Sequence, residues 1–180
     1  VLSFLRTALG VQQTPPNTVM ISLALFMTFF IMAPTLQASY DMGIKPLINQ
    51  EVEEVQALEA ASEPFKAFML KHTREQDLNL FYEVSQEEPA AEPMDTPLHI
   101  VVPSFMISEL RRAFEIGFMI FLPFLIIDLV TASILMSMGM MMLPPVMISL
   151  PFKLIFFVLV DGWYLVAGSL IKSFESGPPL

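Results

Sequence analysis

Apolar residues run through this sequence in blocks, broken by prolines and single charges, and they do not alternate with polar residues over any long stretch. Val19 to Ala33 is one such block, VMISLALFMTFFIMA, held between Asn17 and Pro34. Without period-two alternation the pattern predicts helices throughout and argues against strands. QQTPPN, Gln12 to Asn17, is a turn, because two prolines forbid a continuous helix. A helix is expected from about Thr18 to Ala33, stopping near Pro34. Asn49 can cap an amphipathic helix, with Glu51 in its first turn and Val52, Val55 and Leu58 on one face. Ser62 can cap another, with Phe65, Phe68 and Met69 along one side. Thr73 followed by Gln76 fits a capping box for a third short helix carrying Leu78 and Phe81. Pro89, Pro93 and Pro97 mark a loop. A long helix is expected from Ser104 toward Met136, with Pro123 as a site for a kink. Gly139 and Pro144-Pro145 turn the chain, and the last helix is expected from about Pro151 to Phe174.

Charge divides this helical chain. Of its 180 residues 54 % are hydrophobic, and the net charge is −9. Between Asp41 and Asp95 there are thirteen acids and four bases, whereas the rest of the chain holds five of each. The expected organisation is an apolar helical segment over 1–40, an acidic water-soluble helical insert over 41–98, and an apolar helical hairpin with a methionine-rich loop over 99–180. Two apolar blocks flanking a polar one suggest a membrane protein with a solvent-facing segment. The acidic balance argues against phosphate-backbone binding, and so nucleic acid, as a main task.

The apolar runs are poor membrane spans one by one. A spanning helix needs about 20 apolar residues. Val19 to Ala33 supplies fifteen, and twelve uncharged residues lie between Glu115 and Asp128. The 24 residues between Asp128 and Lys153 are broken by Gly139, Pro144, Pro145 and Pro151. Charges at membrane depth are tolerated when they face protein or a water-filled lumen. The chain is therefore either a helical membrane protein whose helices tilt, or a subunit whose apolar surface is covered by other subunits. It opens at Val1 with no basic region before an apolar run, and VLSFLRTALG reads as the tail of a helix begun earlier, so a processed or incomplete start is expected.

Catalytic chemistry has no foothold in this pattern. The chain has no cysteine, which removes disulfides, thiolate metal sites and a cysteine nucleophile. No GxGxxG or GxxxxGK[ST] occurs, and the carboxylates of the insert lack calcium-loop spacing. His72 and His99 have no ligand-spaced neighbours. No enzyme, cofactor or metal is expected, and the insert reads as a solvated helix surface.

Two local features carry more. Lys153 lies in LPFKLIFFVLV with no acid nearby in sequence until Asp161. A buried lysine must be paired or lose its proton; otherwise it snorkels to water. Among the acids of the apolar blocks, Glu115 can pair along its own helix with Arg111 or Arg112. That elimination leaves Glu109 as a candidate partner of Lys153, and Arg74 is expected to complete a buried network because all three residues fall in motif-like stretches. The second feature is Met136, Met138, Met140, Met141 and Met142, crowded before Leu143-Pro144-Pro145. Methionine is apolar and conformationally adaptable. The plain reading is packing at a helix end; the sharper one is a ring of such side chains closing a pore.

PSFMISELRRAFEIGF (Pro103 to Phe118) and PFKLIFFVLVDGW (Pro151 to Trp163) resemble the two signature stretches of the FliP/SctR family of type III secretion export-gate subunits. LRTALG with PPN, FMLKHTREQDLNLF, LPFLIIDLV and MGMMMLPP are similar as well, and LRTALG and HTREQDLNLF look more flagellar than injectisome-like. The family usually has alanine where this chain has Ser104. The resemblance implies an all-α, membrane-associated subunit of elongated helical hairpins in a helical export-gate assembly. It implies FliQ and FliR as partners, FlhB and FlhA nearby, and further copies of the chain itself, a pentamer in the family. It implies unfolded flagellar proteins as passengers, and the bacterial inner membrane at the flagellar basal body as the location. Met138, Met140, Met141 and Met142 would then form the pore gasket, and Phe68 and Phe81 would contact a neighbouring copy. An independent transporter or channel is the competing class.

Overall fold

The computed structural model describes residues 1–140 and 142–175. Among them the chain is all helix and turn, without a strand. The helices are α1 (Leu2–Leu9), α2 (Asn17–Ser39), α3 (Lys45–Ile48), α4 (Glu54–His72), α5 (Glu75–Ser85), α6 (Leu98–Ser137), α7 (Pro145–Leu159) and α8 (Gly162–Glu175). A π-helical turn, Tyr40–Ile44, joins α2 to α3, and a 3-10 turn, Pro93–Asp95, sits in the proline loop.

The chain forms two compact units. One comprises residues 1–25 and 112–170. Its core is Leu5, Ala8 and Leu9 of α1, Phe124 of α6 and Phe157 of α7, with Ile120, Phe121 and Val166 packed around them. Gly117 is buried beneath Phe4, whose ring a β-carbon there would meet at 2.5 Å. Arg6 ties the entry of α2 to α1 by donating to Asn17 Oδ1 at 2.6 Å and to the Pro15 carbonyl at 3.3 Å.

The other unit comprises residues 26–111 and the described residues 171–175. Here α4 packs on the π turn and α3. Gly43 makes this possible, since a β-carbon there would collide with the Ala57 carbonyl and with Ala61. Ser39 Oγ donates to the Ala61 carbonyl at 2.7 Å beside it. The start of α6 is buried through Ile100, Val101, Ser104 and Ser108. Ser104, which departs from the expected alanine, lies fully buried and donates to the Ile100 carbonyl, so its hydroxyl is satisfied inside its own helix. Tyr82 Oη donates to Thr96 Oγ1 at 3.0 Å and accepts the Ala90 N–H, fastening the proline loop.

Several expected boundaries move. α2 runs through Pro34 to Ser39 instead of stopping. A proline inside a helix removes one hydrogen bond and crowds one carbonyl, but the following turn goes on helically into the π segment. Asn49 ends α3 rather than starting a helix. Gln50 takes a left-handed φ of 60°, and the Glu51 N–H returns to the Pro46 carbonyl, a Schellman ending. Val55 and Leu58 are exposed, so they do not form a buried face within this chain. Ser62 lies inside α4, its hydroxyl on the Glu59 carbonyl, and α4 continues past Pro64. Thr73 closes α4, and α5 starts one residue later than the expected box, from Arg74. α6 begins at Leu98, ahead of Ser104. The expected last helix is two helices, α7 and α8, bent by 61° at a break where Asp161 has φ 50°.

Among the described residues two stretches are long and apolar enough to cross a membrane, Asn17–Ile48 and Leu98–Ser137, and the bent pair α7–α8 passes the same test as one broken span. Their surfaces are bare in the isolated chain: Phe26 is 75 % exposed, and Phe29, Phe30, Val158 and Leu159 are exposed beside it or on α7.

Candidate functional site

Lys153 is buried, 3 % exposed. Helix α7 places Ser149 and Lys153 one turn apart on the same face, and both reach Asp128 of α6. Lys153 Nζ lies 2.6 Å from Asp128 Oδ2. Ser149 Oγ donates to Asp128 Oδ1 and also lies 3.1 Å from the Val146 carbonyl. The lysine donates again to the Ala8 carbonyl, at 3.1 Å. Ala8 is in the last turn of α1, where carbonyls lack helical partners and carry the negative end of the helix dipole. The ammonium thus neutralises a carboxylate and caps a helix end with one set of protons.

Lys153, for which the sequence pointed to Glu109, is held within its own unit by Asp128. The groups on Lys153 are Asp128 and the Ala8 carbonyl, and Glu109 has interactions of its own. Arg74 belongs to the other unit. Its guanidinium grips Asp77 as a fork, Nε to Oδ2 at 2.9 Å and Nη2 to Oδ1 at 2.8 Å. Ser108 Oγ donates to the same carboxylate and accepts the N–H of Arg74, the residue at the start of α5, at 3.1 Å. Elimination along the sequence passed over Asp128, because helix packing, not the residue left over from local pairs, decides which acid meets a buried base. The four-residue spacing of Ser149 and Lys153 was the available signal, since it puts two donors on one stripe toward a single acceptor.

The methionine turn follows from cap chemistry. At the end of α6 the Gly139 N–H returns to the Met136 carbonyl and the Met140 N–H to the Leu135 carbonyl, with Gly139 at φ 74°. This Schellman ending favours glycine, the residue that takes a left-handed φ without a side-chain clash. Pro144 is extended and Pro145 opens α7, where a missing N–H costs no helical bond. Met138, just before Gly139, and Met140 and Met142, between the two stops, are exposed, Met142 at 98 %. Met141 lies outside the described residues.

Phe68 is occupied inside its own unit. Its ring centre lies 4.7 Å from that of His72, 6.1 Å from Phe105 and 6.2 Å from Phe174. Phe68, His72 and Phe174 border a cavity of about 480 Å³ that Phe30 and Pro34 also line. Phe81, on α5, is half-buried. No group of three or more metal-ligating side chains occurs among the described residues.

A family model described as the FliP family matches residues 1–170. The flagellar biosynthetic protein FliP of Caulobacter vibrioides is 64 % identical over 177 residues, covering 98 % of this chain and 66 % of that protein. FliP of Bacillus subtilis is 58 % identical over 174 residues, covering 97 % of this chain and 79 % of its own length. FliP of Rhizobium meliloti is 54 % identical over 174 residues, covering 96 % and 71 %. The chain thus spans about two thirds of the Caulobacter protein's length.

Proposed function

The chain belongs to the FliP family of flagellar biosynthetic proteins, and from that premise we propose that it is a core subunit of the flagellar type III protein export gate. In this reading several copies, five by family resemblance, assemble with FliQ and FliR around one axis, with FlhB and FlhA adjoining. Unfolded flagellar proteins pass along that axis, and the complex sits in the inner membrane at the flagellar basal body. The subunit is structural and gating machinery, not an enzyme. The flagellar relatives favour this over an injectisome role.

One observation supports the gating part above the others: Met138, Met140 and Met142 stand exposed on a turn defined by Gly139 and Pro144-Pro145. Exposed thioethers from several copies, with those of Met141, would make an apolar constriction. Such a constriction stops ions because they would lose hydration with nothing to replace it. Flexible side chains would yield to a passing chain and close behind it. The bare apolar surfaces of α2 and α7 support burial against sister subunits or lipid, and Phe81 belongs to the surface offered to a neighbouring copy.

The test is co-expression of the full-length chain with FliQ and FliR, followed by mass determination of the purified complex. A stable assembly containing several copies is expected. A chain that purifies alone as a monodisperse, conducting species would favour an independent channel.

A further inference from the structure

The described residues of 129–140 and 142–148 form a hairpin with Gly139 near its tip and the Asp128–Ser149–Lys153 cluster at its base. From Asp128 to Ser137, α6 extends by about 14 Å, and from Pro145 to Ser149 α7 covers about 6 Å. Little ties the hairpin between base and tip. On α6 only Thr131 and Leu135 are buried there, and the Thr131 hydroxyl is bonded to the Ile127 carbonyl of its own helix. Among the described residues, the side chains of α7 make polar bonds to other elements through Ser149 and Lys153 alone. Asp128 gives one carboxylate oxygen to each of them. α7 therefore can neither slide nor rotate on α6 without breaking one charge-assisted bond. Ser149 is fully buried and Lys153 nearly so, so water does not easily substitute for a lost partner.

We infer that Asp128 and Ser149 are positioning residues for the methionine turn: the clamp at the base of the hairpin sets where the turn projects, and so whether copies meet tightly enough to seal. This rests on the gate reading above. The bond from Lys153 to the Ala8 carbonyl carries the same constraint into α1, which makes the short first helix part of the turn's foundation.

The experiment uses the full-length chain within the intact gate. The 180 residues hold no cysteine, so Met142→Cys introduces one reporter thiol among them, read by the rate of modification with a membrane-impermeant maleimide. Ion leak across the membrane is measured in parallel without the reporter. Asp128→Asn and Ser149→Ala are expected to assemble, to change the modification rate of the reporter thiol several-fold, and to leak. Asp128→Glu, which keeps the carboxylate, is expected to recover part of the seal, which a simple packing defect would not. Normal modification and no leak in assembled Asp128→Asn and Ser149→Ala gates, with Met140→Ala/Met142→Ala leaking, would overturn the inference while leaving the gate reading intact. A tight Met140→Ala/Met142→Ala gate would overturn both. If Asp128→Asn does not assemble, Ser149→Ala decides, because it leaves the ion pair in place.

Discussion

Lys153 and Ala8 stand 145 positions apart in sequence, yet the lysine ammonium donates to the Ala8 carbonyl at 3.1 Å. The bond closes α1 onto α7 and lets one buried cation answer both a carboxylate and a helix end. It also explains why a lysine is tolerated in so apolar a run.

The first prediction follows from that pairing. Removing one member of a buried ion pair strands the other and costs about 3–5 kcal/mol, whereas removing both costs less. Lys153→Met and Asp128→Leu alone should each lower the amount and thermal stability of the assembled protein. The double variant should lose less than the sum. Thermal melting of the purified complex is the measurement, and strictly additive losses would show that the pair is not coupled.

A second prediction concerns the Ser108 hydroxyl. It donates to Asp77 and accepts the Arg74 N–H where α5 begins. Ser108→Ala leaves a buried carboxylate one bond short and an N–H without its acceptor, at a cost of about 1–3 kcal/mol. The loosened element is α5 and the loop behind it. Limited proteolysis should therefore cut within residues 86–97 sooner than in the unaltered protein. An unchanged cutting rate would mean that the Arg74–Asp77 fork holds α5 unaided.

Gly43 and Gly168 make a paired third prediction. A β-carbon at Gly43 meets backbone, the Ala57 carbonyl, and cannot be relieved by a side-chain rotation, while Gly168 has open space around it. Gly43→Ala should destabilise by about 1–3 kcal/mol as overpacking. Gly168→Ala, in α8, should be neutral or stabilise by up to about 1 kcal/mol through helix propensity. Melting temperatures of the two variants should move apart.

The helical class was legible because nothing in the chain alternates, and the turn at Gly139 and Pro144-Pro145 was legible because glycine and proline act through their own backbones. Other boundaries rested on residues acting against type. Gln50 holds a left-handed geometry that glycine usually holds, so the end of α3 left no mark and Asn49 looked like a beginning. Asp161-Gly162 is a turn dipeptide, but it lies in a run so apolar that continuity outweighed it. Lys153 was recognisable as a buried charge in need of an acid. Its choice of Asp128 came from packing of α6 on α7, which one sequence does not encode locally. Phe68 was recognisable as a packed aromatic, but its partners Phe105 and Phe174 come from distant segments that the sequence does not bring together.

The last prediction returns to the methionines. If Met138, Met140, Met141 and Met142 seal a shared axis, the seal depends on apolar reach and on freedom to change rotamer, and substitutions should rank by which property they remove. Alanine at Met140, Met141 and Met142 shortens every side chain and should let small ions or solutes through a gate that still assembles and exports. Asparagine at the same positions offers polar atoms to water and ions, and should leak more than alanine despite its greater length. Leucine keeps most of the apolar surface but branches, so it should leak least and slow export instead, because a stiffer ring yields less readily to a passing chain. Membrane conductance and secretion of flagellar subunits, measured in the same strains at matched levels of complex, separate the two effects. An unbroken barrier in the alanine and asparagine variants alike would assign these side chains to ordinary packing at the end of α6.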